Sequence, residues 1–410
     1  EGEKNMEKKT KKNNKKSKNK KAGKKERREK NRAKKAKTQK KIKKNTKTKI
    51  SKKIKTKQKK AKPEKKKLKT IKKVQAKGKA VKKQKQKIKF LTAISGSYPR
   101  IGDTEELQKL RRAWAKREVG EISEEEYREV EKEFIKLAIE EQEKAGLDIV
   151  GDGMISWYDQ ISHFAKNIEG VKINGLLRFF DTNTYFRQPV IDDSTPNSPQ
   201  IKPCTLDDFR FAKTIAKRPV KPILTGPVTL SKLSKGDLEK ALEIYTKLIE
   251  NEVKLLSQEG AEYIQIDEPA LQSKDLDKVL PYLERIYNAK SNPSTKIIYF
   301  FYFRDFSEDF EDLQKIPADI LGFDMTYSKL EDKIGKTKIQ KPLMLGIVDG
   351  RNTYIEKPKD VIPRIKKVLK NYPFDFMILS PSCGLEYLPR DFAFRKLQNL
   401  VKITEMLRKL

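Results

Sequence analysis

The chain has 410 residues, with 95 Lys+Arg against 57 Asp+Glu and a formal net charge of +38. Residues 1–90 hold 45 Lys+Arg and 6 Asp+Glu, which leaves 50 against 51 for residues 91–410. That split excludes a protein that is basic throughout, and two distant cysteines, Cys204 and Cys383, exclude a disulfide framework or a Cys-rich zinc module.

In chain order the first segment is the arm, 1–90. Lys runs such as Lys15-Lys16, Lys40-Lys41 and Lys65-Lys66-Lys67 recur among Asn, Thr, Gln and Ala, and Phe90 is the sole aromatic. So little apolar surface cannot offset a backbone ordering cost of about 1–2 kcal/mol per residue, so a disordered Lys-rich tail is expected. Its charge suits polyanions, ribosomal RNA or other nucleic acid, held through phosphates without base readout. The alternatives are a solvated extension that aids solubility, or upstream sequence read through from a wrong start. No run of 18 apolar residues and no secretory signal texture occurs, so no membrane partner and a reducing, cytoplasmic location are expected.

From Phe90 onward, short β-branched runs alternate with amphipathic stretches, the pattern of parallel strands joined by crossover helices. Eight strand runs are predicted: Leu91–Ser95, Leu147–Gly151, Val220–Thr225, Tyr263–Asp267, Lys296–Phe303, Ile320–Met325, Leu343–Asp349 and Phe376–Ser380. Helices are predicted over Glu105–Lys116, Ser123–Ala145, Asp237–Glu259, Asp275–Ala289 and Asp391–Leu407, so two helices separate the first two strands. The fold class is α/β: a single closed (β/α)8 TIM barrel over 91–410, preceded by the disordered polybasic tail. An excursion at about 167–203 reads as a hairpin, Leu176–Phe180 and Tyr185–Arg187 around Asp181-Thr182-Asn183, of a kind that covers the active face of a barrel.

Chemistry in such a barrel gathers where strands end. Those ends supply Ser97, Arg100, Asp152, Thr225, Asp267, Glu268, Arg304, Asp324, Asp349, Arg351, Ser382 and Cys383. Acids and arginines at one rim suit a ligand with both amine and carboxylate groups, although strand-to-helix junctions also favour Asp and Ser as caps.

Six motifs now occur in order: Gly96-Ser97-Tyr98-Pro99-Arg100-Ile101-Gly102, Phe180-Asp181-Thr182-Asn183, Leu224-Thr225-Gly226-Pro227-Val228-Thr229, Ile266-Asp267-Glu268-Pro269-Ala270-Leu271, Gly346-Ile347-Val348-Asp349-Gly350-Arg351-Asn352 and Pro381-Ser382-Cys383-Gly384. Together they resemble the cobalamin-independent methionine synthase family, and the resemblance covers essentially all of 91–410. It implies methyl transfer from methyltetrahydropteroyl-polyglutamate to homocysteine, with that pterin as ligand. Long members of the family pair an N-terminal barrel with a catalytic one. By resemblance Asp267 meets the homocysteine amino group and Ser97 its carboxylate, and Arg100, Glu268, Asp349 and Arg351 complete the substrate-binding set.

The catalytic barrels of the family hold zinc through a His-x-Cys pair, a Glu and a Cys, because a thiol must be converted to thiolate before it attacks. Here Phe300 and Tyr302 stand at the pair, Asp324 at the Glu and Cys383 at the Cys. Asp324 and Cys383 alone do not make a tight site, so no zinc is expected. The loop that carries a catalytic histidine in the family reads Val348-Asp349-Gly350-Arg351-Asn352, and the only histidine, His163, is expected to be structural or on the surface. Tyr98–Gly102, Trp157-Tyr158-Asp159, Phe180–Asn183, Val348–Asn352 and Ser380–Cys383 resemble the N-terminal barrel type more closely. The resemblance thus implies a methyltransferase-family barrel acting as an accessory or N-terminal-half-type subunit, with a catalytic-half methionine synthase subunit as partner. Two alternatives stay open: a non-catalytic barrel whose tail binds nucleic acid, and a different, zinc-free methyl transfer using Asp267, Asp349 or Arg304.

Overall fold

The computed structural model describes residues 88–327 and 329–409. The tail expected at 1–90 lies outside the described residues except for its last three. Among the described residues no helix is long and apolar enough to cross a membrane.

Strand β1, Lys89–Thr92, is followed by a 3-10 turn at Glu106–Gln108 and by helices α1, Lys109–Glu118, and α2, Glu124–Ala145. Two helices therefore precede the second strand position, the first starting at Lys109 rather than Glu105. Helix α2 begins and ends where its sequence says. Ser123 Oγ accepts from Glu126 N and Glu126 Oε2 accepts from Ser123 N, a reciprocal cap of about 1 kcal/mol, and Gly146 at φ 94° stops the helix in a conformation that other residues resist.

The run Leu147–Gly151 differs from expectation. It makes only two single parallel bridges, Ala93 with Ile149 and Val150 with Val220. Side chains take the backbone groups that a longer ladder would have used. The Gln142 amide holds both N and O of Gly151 at 2.9 Å, and the Asp148 carboxylate accepts from Thr92 N at 2.8 Å.

The short helix α3, Ser162–Ala165, leads to the hairpin β2, Lys172–Arg178, and β3, Tyr185–Ile191, which form the predicted excursion. There follow α4, Leu206–Ile215; β4, Ile223–Thr225; α5, Pro227–Leu233; β5, Lys235–Gly236; and α6, Leu238–Gln258. Next come β6, Tyr263–Asp267; α7, Leu276–Asn288; β7, Lys296–Phe301; α8, Phe310–Leu313; and β8, Ile320–Asp324. The chain closes with α9, Leu330–Ile334; β9, Leu343–Val348; α10, Pro358–Leu369; β10, Phe376–Pro381; and α11, Arg390–Arg408.

Seven strands pair in parallel in the order β1-β10-β9-β8-β7-β6-β4. The two edges, β1 and β4, are joined through Ile149 and Val150, so the eighth strand position closes the barrel with isolated bridges. Strands β4, β8 and β9 are buried at every residue, as expected where one face meets the barrel interior and the other a layer of helices. The small sheet β2-β3-β5 stands apart and delivers the turn between β2 and β3 to the barrel mouth.

Candidate functional site

The C-terminal ends of the strands meet at a buried polar centre. Gln265 and Asp267 lie two apart on β6 and so share one face, inside the barrel. Gln265 Nε2 donates to Asp267 Oδ1 at 2.7 Å and to the Ser95 carbonyl at 2.6 Å. The Lys221 ammonium, 0 % exposed, donates to Gln265 Oε1 and thereby sets which way that amide points. Tyr302 OH donates to Asp267 Oδ2 at 3.2 Å, where the family's substrate ammonium was expected. Burial pushes the Asp267 carboxyl up to about 7, against the hydrogen bond from Gln265 and the attraction of Lys221, and burial draws the Lys221 amine down to about 7.

The other predicted residues divide between this centre and elsewhere. Ser97 is buried beside the last strand end, and a Cβ on Gly384 would come within 2.3 Å of its Oγ, so glycine is what allows the first and last loops to touch. Asp324 accepts from Thr326 N at 2.7 Å and Thr326 Oγ1 at 2.6 Å, and burial raises its carboxyl to about 6. Asp349 accepts from Arg351 N and Asn352 Nδ2, bracing its own loop. Arg351 donates to Tyr327 OH and lies 3.4 Å from Asp181 Oδ2, while Tyr327 OH donates to the same Asp181 oxygen at 2.8 Å. The tip of the hairpin is thus fastened over the rim.

Glu268 sits deeper than a ligand contact. Its carboxylate accepts from Val228 N, Thr229 N and Thr229 Oγ1 at 2.7–2.9 Å, anchoring the start of α5. A Cβ on Gly226 would fall 2.2 Å from Glu268 Oε1, which explains the glycine in that motif. Arg304 is likewise occupied, with Asp309 at 2.6 Å and the Leu271 carbonyl at 2.8 Å. Arg100 turns sideways toward Glu386, 3.9 Å away, and lines a lateral cavity instead of the mouth.

The zinc set that the resemblance raises does not fit this donor set. Phe300 is fully buried, packed so closely on β8 that a Cβ on Gly322 would lie 2.2 Å from its ring. Tyr302 is turned to Asp267, Asp324 is engaged by Thr326, and burial together with the Asp324 charge holds the Cys383 thiol well above its usual range, hence protonated. Among the described residues no three His, Cys, Asp or Glu side chains are grouped so as to hold a metal ion. His163 is buried, stacked on Trp157 at 4.7 Å, with Nε2 on the Cys204 carbonyl, and burial depresses it to about 3, so it is a neutral internal residue.

Aromatic rings crowd the mouth. Phe179 and Phe180 from the hairpin lie 5.9 and 5.5 Å from Phe303, whose backbone, like that of Phe180, is held at positive φ, 71° and 51°. Such values cost bulky residues energy and persist only where the surroundings enforce them. Lys221, Gln265 and Tyr302 were not singled out from the sequence as binding groups. The available signal was a lysine and a glutamine interrupting otherwise apolar strand runs.

The fold and its strand ends define a class, a (β/α)8 barrel with buried carboxylates at its C-terminal rim. The family described as "Cobalamin-independent synthase, Catalytic domain" matches residues 90–406, and the chain belongs to this cobalamin-independent methionine synthase family. A methionine synthase of Pyrococcus horikoshii is 31% identical over 78% of this chain and 93% of its own length. One from Sulfurisphaera tokodaii is 29% identical over 77% and 92%. The 5-methyltetrahydropteroyltriglutamate–homocysteine methyltransferase of Thermotoga maritima is 31% identical over 78% of this chain but only 44% of its own length, so the match is to the half-length form of the family. A B12-independent methionine synthase from Shewanella, solved in complex with selenomethionine, shares the fold at TM-score 0.64 and 21% identity over 78% of this chain and 97% of its own.

Proposed function

We propose that this barrel is a zinc-lacking accessory or N-terminal-half-type subunit of a methyl-transfer system acting between methyltetrahydropteroyl-polyglutamate and homocysteine, working beside a separate catalytic-half chain. The observation that carries this reading is the burial of Phe300 and Tyr302, which the resemblance sets at the zinc-ligand positions, with the Tyr302 hydroxyl turned onto Asp267. Zinc is what would lower the homocysteine thiol toward thiolate, and the donors here do not fit it, Cys383 being itself held protonated.

What this chain's residues supply is binding and placement. Asp267, when ionised, offers a carboxylate to an amino-acid ammonium once Tyr302 gives way, and Ser97, buried in the first strand-end loop, is the group assigned to the amino-acid carboxylate. The names of the archaeal relatives and the selenomethionine held by the Shewanella protein support an amino-acid ligand of this kind.

The test is metal analysis and turnover on the purified full chain. Less than stoichiometric zinc and no methionine formed from homocysteine and methyltetrahydropteroyl-triglutamate are expected, together with methionine binding that is lost in Asp267→Asn. Stoichiometric zinc with unaided turnover would overturn the accessory reading. A second reading is favoured by the charge of residues 1–90, in which the tail holds the barrel on ribosomal RNA or another polyanion.

A further inference from the structure

Beside the barrel mouth, a cavity of about 850 Å³ opens between α1, α2, the loop that follows the second strand position, and strand β3. That volume is in the range of sites for whole small molecules. Trp114 and Tyr158 meet edge to face at 4.7 Å on its wall, and the Arg187 guanidinium lies 3.2 Å over the Tyr158 ring. Ile101 and Ile173 add apolar surface, each 43% exposed. A flat apolar body therefore has rings and aliphatic edges to rest on.

Each acid lining this cavity already has a cation within ion-pair reach, Glu386 that of Arg100 and Asp207 that of Arg210. Arg128 is neutralised by Glu131 and Asp208, and Arg117 by Glu118 and Glu124. Arg111 and Lys166, both exposed, have no ion pair among the described residues, and Arg187 has a long one with Asp159, at 3.7 Å, and feels the charge of Glu118. At the back of the cavity His163 is kept neutral by burial, and the Lys166 charge adds to this against the hydrogen bond to the Cys204 carbonyl. Trp157 Nε1 and His163 Nδ1, in side chains 2% and 3% exposed, have no hydrogen-bond partner.

We propose that this cavity binds an anionic heteroaromatic small molecule of nucleotide size, its ring against Trp114 and Tyr158 and its carboxylate or phosphate on Arg111, Lys166 and Arg187. Carboxylate and phosphate satisfy these cations alike, since ammonium and guanidinium groups carry donors and no acceptor atom. A lone amino acid would leave most of the aromatic wall uncovered. The proposal stands on residues outside the Asp267 centre and does not depend on the accessory-subunit reading.

Both tryptophans of the chain, Trp114 and Trp157, line the cavity, so intrinsic tryptophan fluorescence of the full-length protein reports on it and not on anions held by the tail. Titration with GMP against guanosine tests phosphate, and orotate against uracil tests carboxylate. At least one anionic probe is expected to give a saturable change with affinity about tenfold or more above its neutral ring, and the double variant Arg111→Glu, Lys166→Glu is expected to lose about tenfold or more of it. Because both side chains are exposed and unpaired, thermal stability should be unchanged in that variant. Response to GMP alone identifies a phosphate ligand, and response to orotate alone a carboxylate. No saturable response to either, equal affinity for the neutral rings, or a double variant that binds as well as the parent would overturn the proposal.

Discussion

At the scale of single residues, Asp267 is set by what surrounds it. Its carboxyl rises to about 7 because burial disfavours the charge more than Gln265, Lys221 and Tyr302 support it. An ammonium ligand needs the ionised form, so methionine affinity should increase as pH rises through about 7 and fall by about tenfold per pH unit below it. Lys221→Met removes both the nearby positive charge and the donor that orients Gln265. The midpoint in that variant should move upward, with weaker binding at neutral pH. Methionine titrations from pH 5 to 9 on both proteins check this, and a midpoint near 4 in the parent would contradict the buried arrangement. Tyr302→Phe removes the hydroxyl that occupies Asp267 Oδ2, so methionine should bind more tightly in that variant at pH 8. Unchanged or weaker binding there would show that the hydroxyl does not compete with the ligand.

At the scale of elements, helix α5 depends on a residue that looks like a ligand contact in sequence. Both Glu268 oxygens accept, from two backbone N–H groups and one hydroxyl. Glu268→Gln presents an amide N–H₂ to at least one donor and leaves a buried group unpaired, at a cost of about 1–3 kcal/mol. Its melting temperature should drop, and Gly226→Ala should behave similarly because the new Cβ would displace the same carboxylate. Loss of ligand binding with no change in melting would instead put Glu268 at the binding surface. The hairpin shows the limit of local pattern in another way. Its strands and turn are readable from the apolar runs on either side of Asp181-Thr182-Asn183, whereas its fastening to Tyr327 and Arg351 joins positions 146 and 170 residues away.

At the scale of the whole molecule, charge separates a tail from a barrel. If about ten tail lysines neutralise phosphates, log K for a polyanion should fall against log salt with slope near −9. Binding of the full chain to ribosomal RNA between 50 and 200 mM salt, compared with a chain lacking residues 1–87, measures it. Equal binding without the tail would sink the electrostatic reading. The sequence by itself determined the charge division, the alternation of strands and helices, the helix starts at Ser123 and Asp237, and the family, because each rests on contiguous patterns of polarity and turn chemistry. Only the tertiary structure decided that Arg100 leaves the mouth, that Glu268 serves α5, that Tyr302 reaches Asp267, and that the second strand position is reduced to two bridges. The physical reason is the same in each case: a strand end fixes where a residue begins, but a buried polar group points to whichever distant partner replaces the water it has lost.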